Sequence, residues 1–286
     1  MSLGGPTWRG EEPVLRPLGP LEWGLAVMRG ILLGTLICLG LVVKLVLRLG
    51  ERMFCGTRRP LSPWVTLAVS RAAVAIIGLQ LTHSGPAMHG RGGLVANHSS
   101  WLDIFVLNAC RPVRFVSKSE VAGWPFIGFL ARVTGTVFIT RDPREAAAQR
   151  DAFEARLLEG APLLFFPEGT STDGQRVLPF KPTLFAAFFG DRLRHQTQVQ
   201  AVTLIYHAPR GRDARAYGWW GGMDFGPHLL RVLGEPRRGK VEVVFHSPLR
   251  VDDYPNRKTL AARLEAQVRG THPQGEAPAV ATGPEA

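Results

Sequence analysis

An uncharged apolar run of about 14 residues, Gly30 to Val43, constrains this chain more than any other feature. Such a segment must be covered either by protein or by lipid. Arg29 precedes it, and Lys44 and Arg48 break its far end. It is shorter than the ~20 residues that a full crossing prefers, although Lys44 could snorkel and lengthen it. A second apolar stretch, Trp64 to Leu81, is interrupted by Arg71 near its middle. Each could span a bilayer, lie in its interface, or form half of a hairpin dipping into one leaflet. A buried core helix is the soluble alternative. A secretory signal fits poorly, because Glu11, Glu12 and Glu22 lie ahead of the first run and no small-residue cleavage site follows it. Attachment to a membrane by at least one helix is the expectation. Lys44, Arg48, Arg52, Arg58 and Arg59 would then lie at an anionic surface.

Charge agrees with this. Lys+Arg 34 against Asp+Glu 23 gives a net +11, which leaves nucleic acid, an anionic membrane or an acidic partner as candidates. The apolar segments choose the membrane over nucleic acid. Cys38, Cys55 and Cys110 lie far apart without Cys or His partners, so a disulfide scaffold and a zinc ribbon are excluded. No clustered ligand set for a metal is present either.

From Gly92 onward the pattern alternates between short β-rich runs and helical stretches. Leu94–Ala96, Val113–Val116, Gly135–Ile139, Pro162–Phe166, Val199–Tyr206 and Val241–Phe245 read as strands. Trp101–Ala109 reads as a helix that Ser99 or Ser100 could cap, and Val121–Val133 as another despite Pro125. Asp142-Pro143-Arg144-Glu145 opens a helix running to Gly160, with Phe153 and Leu157 facing inward. Lys181–Phe189 is a short buried helix, Arg210–Gly222 a loop, and Leu260, Leu264 and Val268 mark a closing helix stopped by Gly270. The predicted fold is an α/β sandwich of mixed sheet and helices. Its parts would be a tail (1–29), membrane-associated helices (30–82), a catalytic domain (83–270) and a disordered tail (271–286).

The chemistry gathers at strand ends. His98 follows a strand directly, and Asp103 lies five residues on at a helix start. A carboxylate there can fix one imidazole tautomer and leave the other nitrogen free to take a proton. The plainer alternative is a helix-capping histidine beside a solvated aspartate. Glu168-Gly169-Thr170 ends a buried strand, where α/β sheets place their binding crevice, and Arg141 ends another as an anion contact. Ser99 or Ser100 as a nucleophile would need an elbow motif that is missing, and Cys110 reads as packing. His207, His228 and His246 read as structural or exposed, and Trp219-Trp220 as either core or membrane contact.

Four blocks in order resemble the PlsC-type glycerolipid acyltransferases. They are Asn97-His98-Ser99-Ser100-Trp101-Leu102-Asp103, the stretch with Lys118, Pro125 and Gly128, Phe138-Ile139-Thr140-Arg141, and Phe166-Pro167-Glu168-Gly169-Thr170. The resemblance covers roughly residues 60 to 250. It implies His98 as general base, Asp103 as its orienter, and direct attack of a lysolipid hydroxyl on an acyl thioester. It implies substrate contacts at Asn97, Lys118, Arg141, Glu168, Gly169 and Thr170, with Glu168 on the head group and N–H groups near Gly169 on the acceptor or oxyanion. No cofactor or metal is implied. The partners would be a membrane lysolipid, an acyl carrier protein or coenzyme A thioester, and an anionic membrane surface, with no nucleic acid. The place would be a bacterial inner membrane, with the catalytic domain facing the cytoplasm.

In the lysophosphatidic acid enzymes the last block commonly continues with arginine, whereas here it continues Ser171-Thr172-Asp173-Gly174. Loss of that guanidinium and gain of Asp173 favour an acceptor that carries a cation. The block resembles that of bacterial lyso-ornithine lipid acyltransferases, and use of lysophosphatidic acid as well would fit the retained Arg141. A dedicated 1-acylglycerol-3-phosphate acyltransferase is the alternative, and a non-enzymatic basic membrane adaptor is one from another class.

Overall fold

The structure is a computed structural model that describes residues 8, 10–13, 16–56, 58–86, 88, 91–124, 127–139, 153–157 and 162–273. Among the described residues its framework is a mixed sheet of eight strands: β1 (Leu79–Ser84), β2 (Gly92–Ala96), β3 (Arg114–Lys118), β4 (Val137–Ile139), β5 (Leu163–Phe165), β6 (Gln198–His207), β7 (Gly239–Phe245) and β8 (Leu249–Arg250). The order is β1-β7-β6-β2-β5-β3-β4, with β8 paired to β6. From β6 through β2, β5 and β3 to β4 every pairing is parallel, while β7 and β8 run antiparallel to β6.

Strands β2 and β5 are buried along their whole length and carry no polar side chain, because helices cover both faces. Leu94 and Ala96 of β2 join one core cluster with helices α1 (Pro20–Cys55), α2 (Ser62–Ile77), α3 (Leu102–Cys110) and α6 (Phe225–Gly234). Val95, pointing the other way, joins Phe153, Leu157, a 3-10 turn over Pro182–Phe189 and helix α7 (Arg257–Thr271). Strand β7 alternates, with Val241, Val243 and Phe245 inward. Short helices α4 (Ser119–Ala122) and α5 (Ile127–Thr134) replace the single one read over Val121–Val133, with Pro125 falling between them. The helix read over residues 142–160 lies outside the described residues except for 153–157, where Phe153 and Leu157 are buried as expected. Helix α7 runs one residue past Gly270, and its N-cap Asn256 accepts from the N–H groups of Lys258 and Thr259. The tail from residue 274 is outside the described residues.

The N-terminal helices differ most from the reading. Helix α1 is 36 residues long and begins at Pro20, not near residue 30. Gly19 opens it, and the Glu22 carboxylate accepts the Gly19 N–H at 2.9 Å. Among the described residues it is the one helix long and apolar enough to cross a membrane. One side packs on the body through Ala26 and Leu33, and the other bears exposed Ile31, Leu39, Val42 and Val46. Lys44 and Arg48 do not reach for a lipid surface. Lys44 is buried against Thr66, and Arg48 donates to the Val133 carbonyl at 2.8 Å. Glu51 accepts the N–H groups of Leu61 (2.7 Å) and Ser62 (2.8 Å), so α1 supplies the N-terminal cap of α2.

The second apolar stretch is part of the core. Leu67, Ser70, Ala73, Val74 and Ile77 form the buried stripe of α2, and Arg71 ties it to the Ala109 carbonyl of α3 at 2.9 Å. The same stretch then becomes edge strand β1, paired in parallel with β7.

Candidate active site

The parallel strands put their carboxyl ends on one side of the sheet, so His98 after β2, Lys118 ending β3 and the Glu168 block after β5 share one rim. Lys118 is half-buried and pairs in register with Ile139 of β4. Arg141 lies outside the described residues.

Asn97 is the first residue beyond β2. Its Nδ2 donates to the Leu204 carbonyl at 2.9 Å, and its Oδ1 accepts the Leu204 N–H at 2.8 Å. The side chain thus imitates one more rung of the β2–β6 ladder. Asn97 is 1% exposed with both amide ends engaged, which corrects its assignment to the substrate. Asn97→Ala is expected to cost roughly 2–4 kcal/mol, because two buried backbone groups lose their partners. Thermal unfolding in detergent checks this, and an unchanged midpoint would refute it.

The rung fixes where the chain leaves the sheet, and His98 follows. Its Nδ1 lies 2.7 Å from Asp103 Oδ2, and that same oxygen accepts the N–H groups of Ser99 (2.8 Å) and Ser100 (3.1 Å). The serines therefore do not cap α3 with their hydroxyls; the aspartate in its first turn collects their backbone donors. A carboxylate only accepts, so Nδ1 carries the hydrogen and Nε2 presents a lone pair. Asp103 is fully buried, whereas the His98 side chain keeps 22% exposure. The imidazole stacks on Phe166, ring centroids 4.0 Å apart and 12° from parallel. His98 and Ser99 carbonyls accept from Thr172 N–H (2.9 Å) and Trp219 N–H (2.8 Å), which wraps two loops around the base.

The Glu168 block turns inward. Glu168 is 2% exposed, its Oε1 accepts the His98 N–H at 3.2 Å, and among the described residues its Oε2 has no hydrogen-bond partner. Burial pushes this carboxyl well above the usual range, and the Asp103 charge adds to it, against the N–H groups of His98 and Leu178. Glu168 thus holds the backbone of the base through Oε1. Gly169 has φ +71°, and its N–H closes a turn onto the Phe166 carbonyl at 3.0 Å, so that N–H is not offered to an oxyanion. The left-handed backbone favours glycine there, and a Cβ would also sit 2.7 Å from Lys181 Nζ, so that flexible side chain would have to move aside. Thr170 is buried and its Oγ1 accepts the Trp8 N–H at 3.3 Å.

Ser171 is buried and donates to the Trp219 carbonyl at 2.6 Å, while Asp173 is paired with Arg176 through two contacts of 3.1 and 2.9 Å. Neither side chain faces an open head-group pocket, so the charge argument drawn from this block does not hold. Trp220 is fully buried, and Trp219 half-buried with its Nε1 donating to the Met223 carbonyl.

The thiol and hydroxyl alternatives have no support. Burial pushes the Cys110 thiol up to about 12, far from a reactive thiolate. Ser99 and Ser100 are buried, and Ser100 Oγ has no partner among the described residues that could activate it. His228 is buried, pushed down to about 4 by burial, and accepts the Trp101 indole N–H at 3.0 Å. Two residues that sequence reasoning did not single out touch the pair: Phe166 under the imidazole, and Tyr206, whose hydroxyl donates to Asp103 Oδ1 at 2.7 Å.

Comparison with known proteins agrees with the blocks. A family model described as Acyltransferase matches residues 82–204. A lyso-ornithine lipid O-acyltransferase of Rhodobacter capsulatus is 54% identical over 265 residues, covering 92% of this chain and 96% of that protein. Another of that name from Pseudomonas aeruginosa is 34% identical over 235 residues, covering 82% and 88%. The crystal structure of PlsC, the 1-acyl-sn-glycerophosphate (LPA) acyltransferase of Thermotoga maritima, superimposes with a TM-score of 0.53 at 20% identity. It covers 86% of this chain and 95% of that one, and shows a shared fold.

Proposed function

This chain belongs to the PlsC-type acyltransferase family and is a lysolipid acyltransferase, and from that premise we propose that it acylates the hydroxyl of lyso-ornithine lipid, with His98 as general base. The observation that carries the chemistry is the His98–Asp103 pair, with a buried carboxylate on Nδ1 and a partly exposed ring on the crevice side. The acceptor hydroxyl gives its proton to Nε2 as its oxygen forms a bond to the thioester carbonyl carbon. The C–S bond then breaks, and the thiolate takes the proton back from the imidazolium. Asp103 steadies the imidazolium through Nδ1–H. Direct transfer is supported by the lack of an activated nucleophile among the described serines and cysteines near the pair.

The acceptor rests on the relatives that carry the lyso-ornithine name, above all the one 54% identical over nearly the whole chain. The donor is an acyl thioester of acyl carrier protein or coenzyme A, and no cofactor is needed. The catalytic side faces the cytoplasm at the bacterial inner membrane. The exposed apolar face of α1, with Arg52 and Arg58 exposed at its far end, supports that attachment.

Purified protein in lipid vesicles, given labelled acyl thioester on either carrier and each lysolipid in turn, tests the assignment. We expect kcat/KM for lyso-ornithine lipid at least about tenfold above that for lysophosphatidic acid, a difference of ~1.4 kcal/mol in transition-state binding. A preference in the other direction would make the chain a phosphatidic acid-forming enzyme.

A further inference from the structure

Strand β6 runs five residues past the point where β2 ends, since Ala96 pairs with Val202 and the strand continues to His207. Residues two apart on a strand share a face, so Val202, Leu204 and Tyr206 all point into the cluster that contains α3. The Asn97 rung pins Leu204, and Tyr206 therefore arrives beside the first turn of α3, where Asp103 lies. Its ring is nearly buried, packed 5.9 Å from Tyr217, and its hydroxyl donates to Asp103 Oδ1 at 2.7 Å.

We propose that Tyr206 is a positioning residue for acyl transfer, holding the Asp103 carboxylate in the orientation that serves His98 and taking up part of its charge. The inference rests on the reading of His98 as base. Asp103 Oδ2 already accepts His98 Nδ1–H and two backbone N–H groups, and Tyr206 is the donor on Oδ1. With both oxygens engaged, the carboxylate cannot turn about its Cβ–Cγ bond, and the imidazole it holds keeps one tautomer. A donor on the far oxygen also tempers the charge that Nδ1–H feels. The base then gives up its proton more readily when the thiolate needs it.

The surroundings leave few groups to confuse a titration. Burial, with the Asp103 charge second, pushes the Tyr206 phenol well above its usual range, so it stays a donor at any assay pH. Facing it are Cys110 from α3 and Tyr217 from the loop before α6, both pushed up to about 12 by burial. Glu168, from the loop after β5, is pushed well above the carboxylate range. His98 is the other side chain bonded to Asp103, whose further partners are the N–H groups of Ser99 and Ser100.

The test is the pH profile of kcat/KM in the full-length, membrane-bound protein. Tyr206→Phe keeps the ring and removes the donor. Its plateau should fall about tenfold, with KM for the lysolipid within about twofold of the parent. The acid limb should move up by about half to one pH unit, because an untempered Asp103 favours the protonated imidazole. Replacing Tyr206 by 3,5-difluorotyrosine strengthens the donor without changing its shape, and should move the limb the opposite way. A purely structural role would lower stability but leave both limbs where they are. Superimposed profiles for the parent and both variants, with plateaus within twofold, would overturn the proposal. Parent activity that survives His98→Ala would instead overturn the general-base reading beneath it.

Discussion

Replacing His98 by alanine is expected to lower kcat/KM for acyl transfer about a thousandfold, in the range that a positioned general base contributes. The substitution removes the proton acceptor and little else. Asp103 would keep the Ser99 and Ser100 N–H groups and the Tyr206 hydroxyl. Glu168 would keep the backbone N–H of residue 98, and the Thr172 N–H its carbonyl. The loss of stacking on Phe166 is the structural cost, and thermal unfolding should register only a modest decrease. Asp103→Asn should lose somewhat less, because the imidazole remains but its tautomer is no longer enforced. Turnover of His98→Ala within tenfold of the parent would remove the base from the mechanism.

The second large effect concerns the membrane. Leu39 and Val46 lie seven residues apart on α1, 62% and 66% exposed, with the body of the protein on the opposite side. Changing both to glutamate should reduce binding to anionic vesicles about a hundredfold. Each apolar side chain contributes ~1.5–3 kcal/mol when buried in hydrocarbon, and each new carboxylate opposes insertion. Removing residues 1 to 58 would be a poorer probe. Ala26 and Leu33 belong to the core with Val232 and Leu233 of α6, so truncation would open the fold as well as release it. Sedimentation with vesicles reads the partition, and transfer in mixed micelles reads the fold. Undiminished vesicle binding by the double variant would show that this face does not meet lipid.

What the sequence made legible was what is local. His98 and Asp103 are five residues apart, and the strand, polar cluster and helix around them are each encoded within a few positions. Strands β2 and β5 are readable because burial on both faces leaves them without a polar side chain. Contacts across the fold were not readable. Nothing near Tyr206 announces that its hydroxyl meets Asp103, 103 residues earlier. Leu204 likewise gives no sign that it completes Asn97. Glu168 and Ser171 illustrate a second limit. Both are polar residues of a functional block, and both are buried with a hydrogen bond to a main-chain group of a neighbouring segment. A hidden hydrogen bond and a ligand contact look alike in a sequence, since both require the same side chain. The uncharged run understates the length of α1, because Lys44 and Arg48 look like its end in the sequence. In the fold they are its attachments, one to Thr66 and one to Val133.

Those attachments bear on how the enzyme meets its acceptor. Arg29 donates to the carbonyls of Leu233 and Glu235, Lys44 and Glu51 join α2, and Arg48 joins α5, so α1 is riveted to the body from end to end. A swivelling tether would let the crevice tumble above the bilayer; a riveted one sets its height and tilt. Encounters are then two-dimensional. The quantity that governs saturation becomes the mole fraction of lysolipid in the surface rather than its amount per volume. Diluting the acceptor with inert lipid would slow such an enzyme, even with the total lysolipid in the tube unchanged.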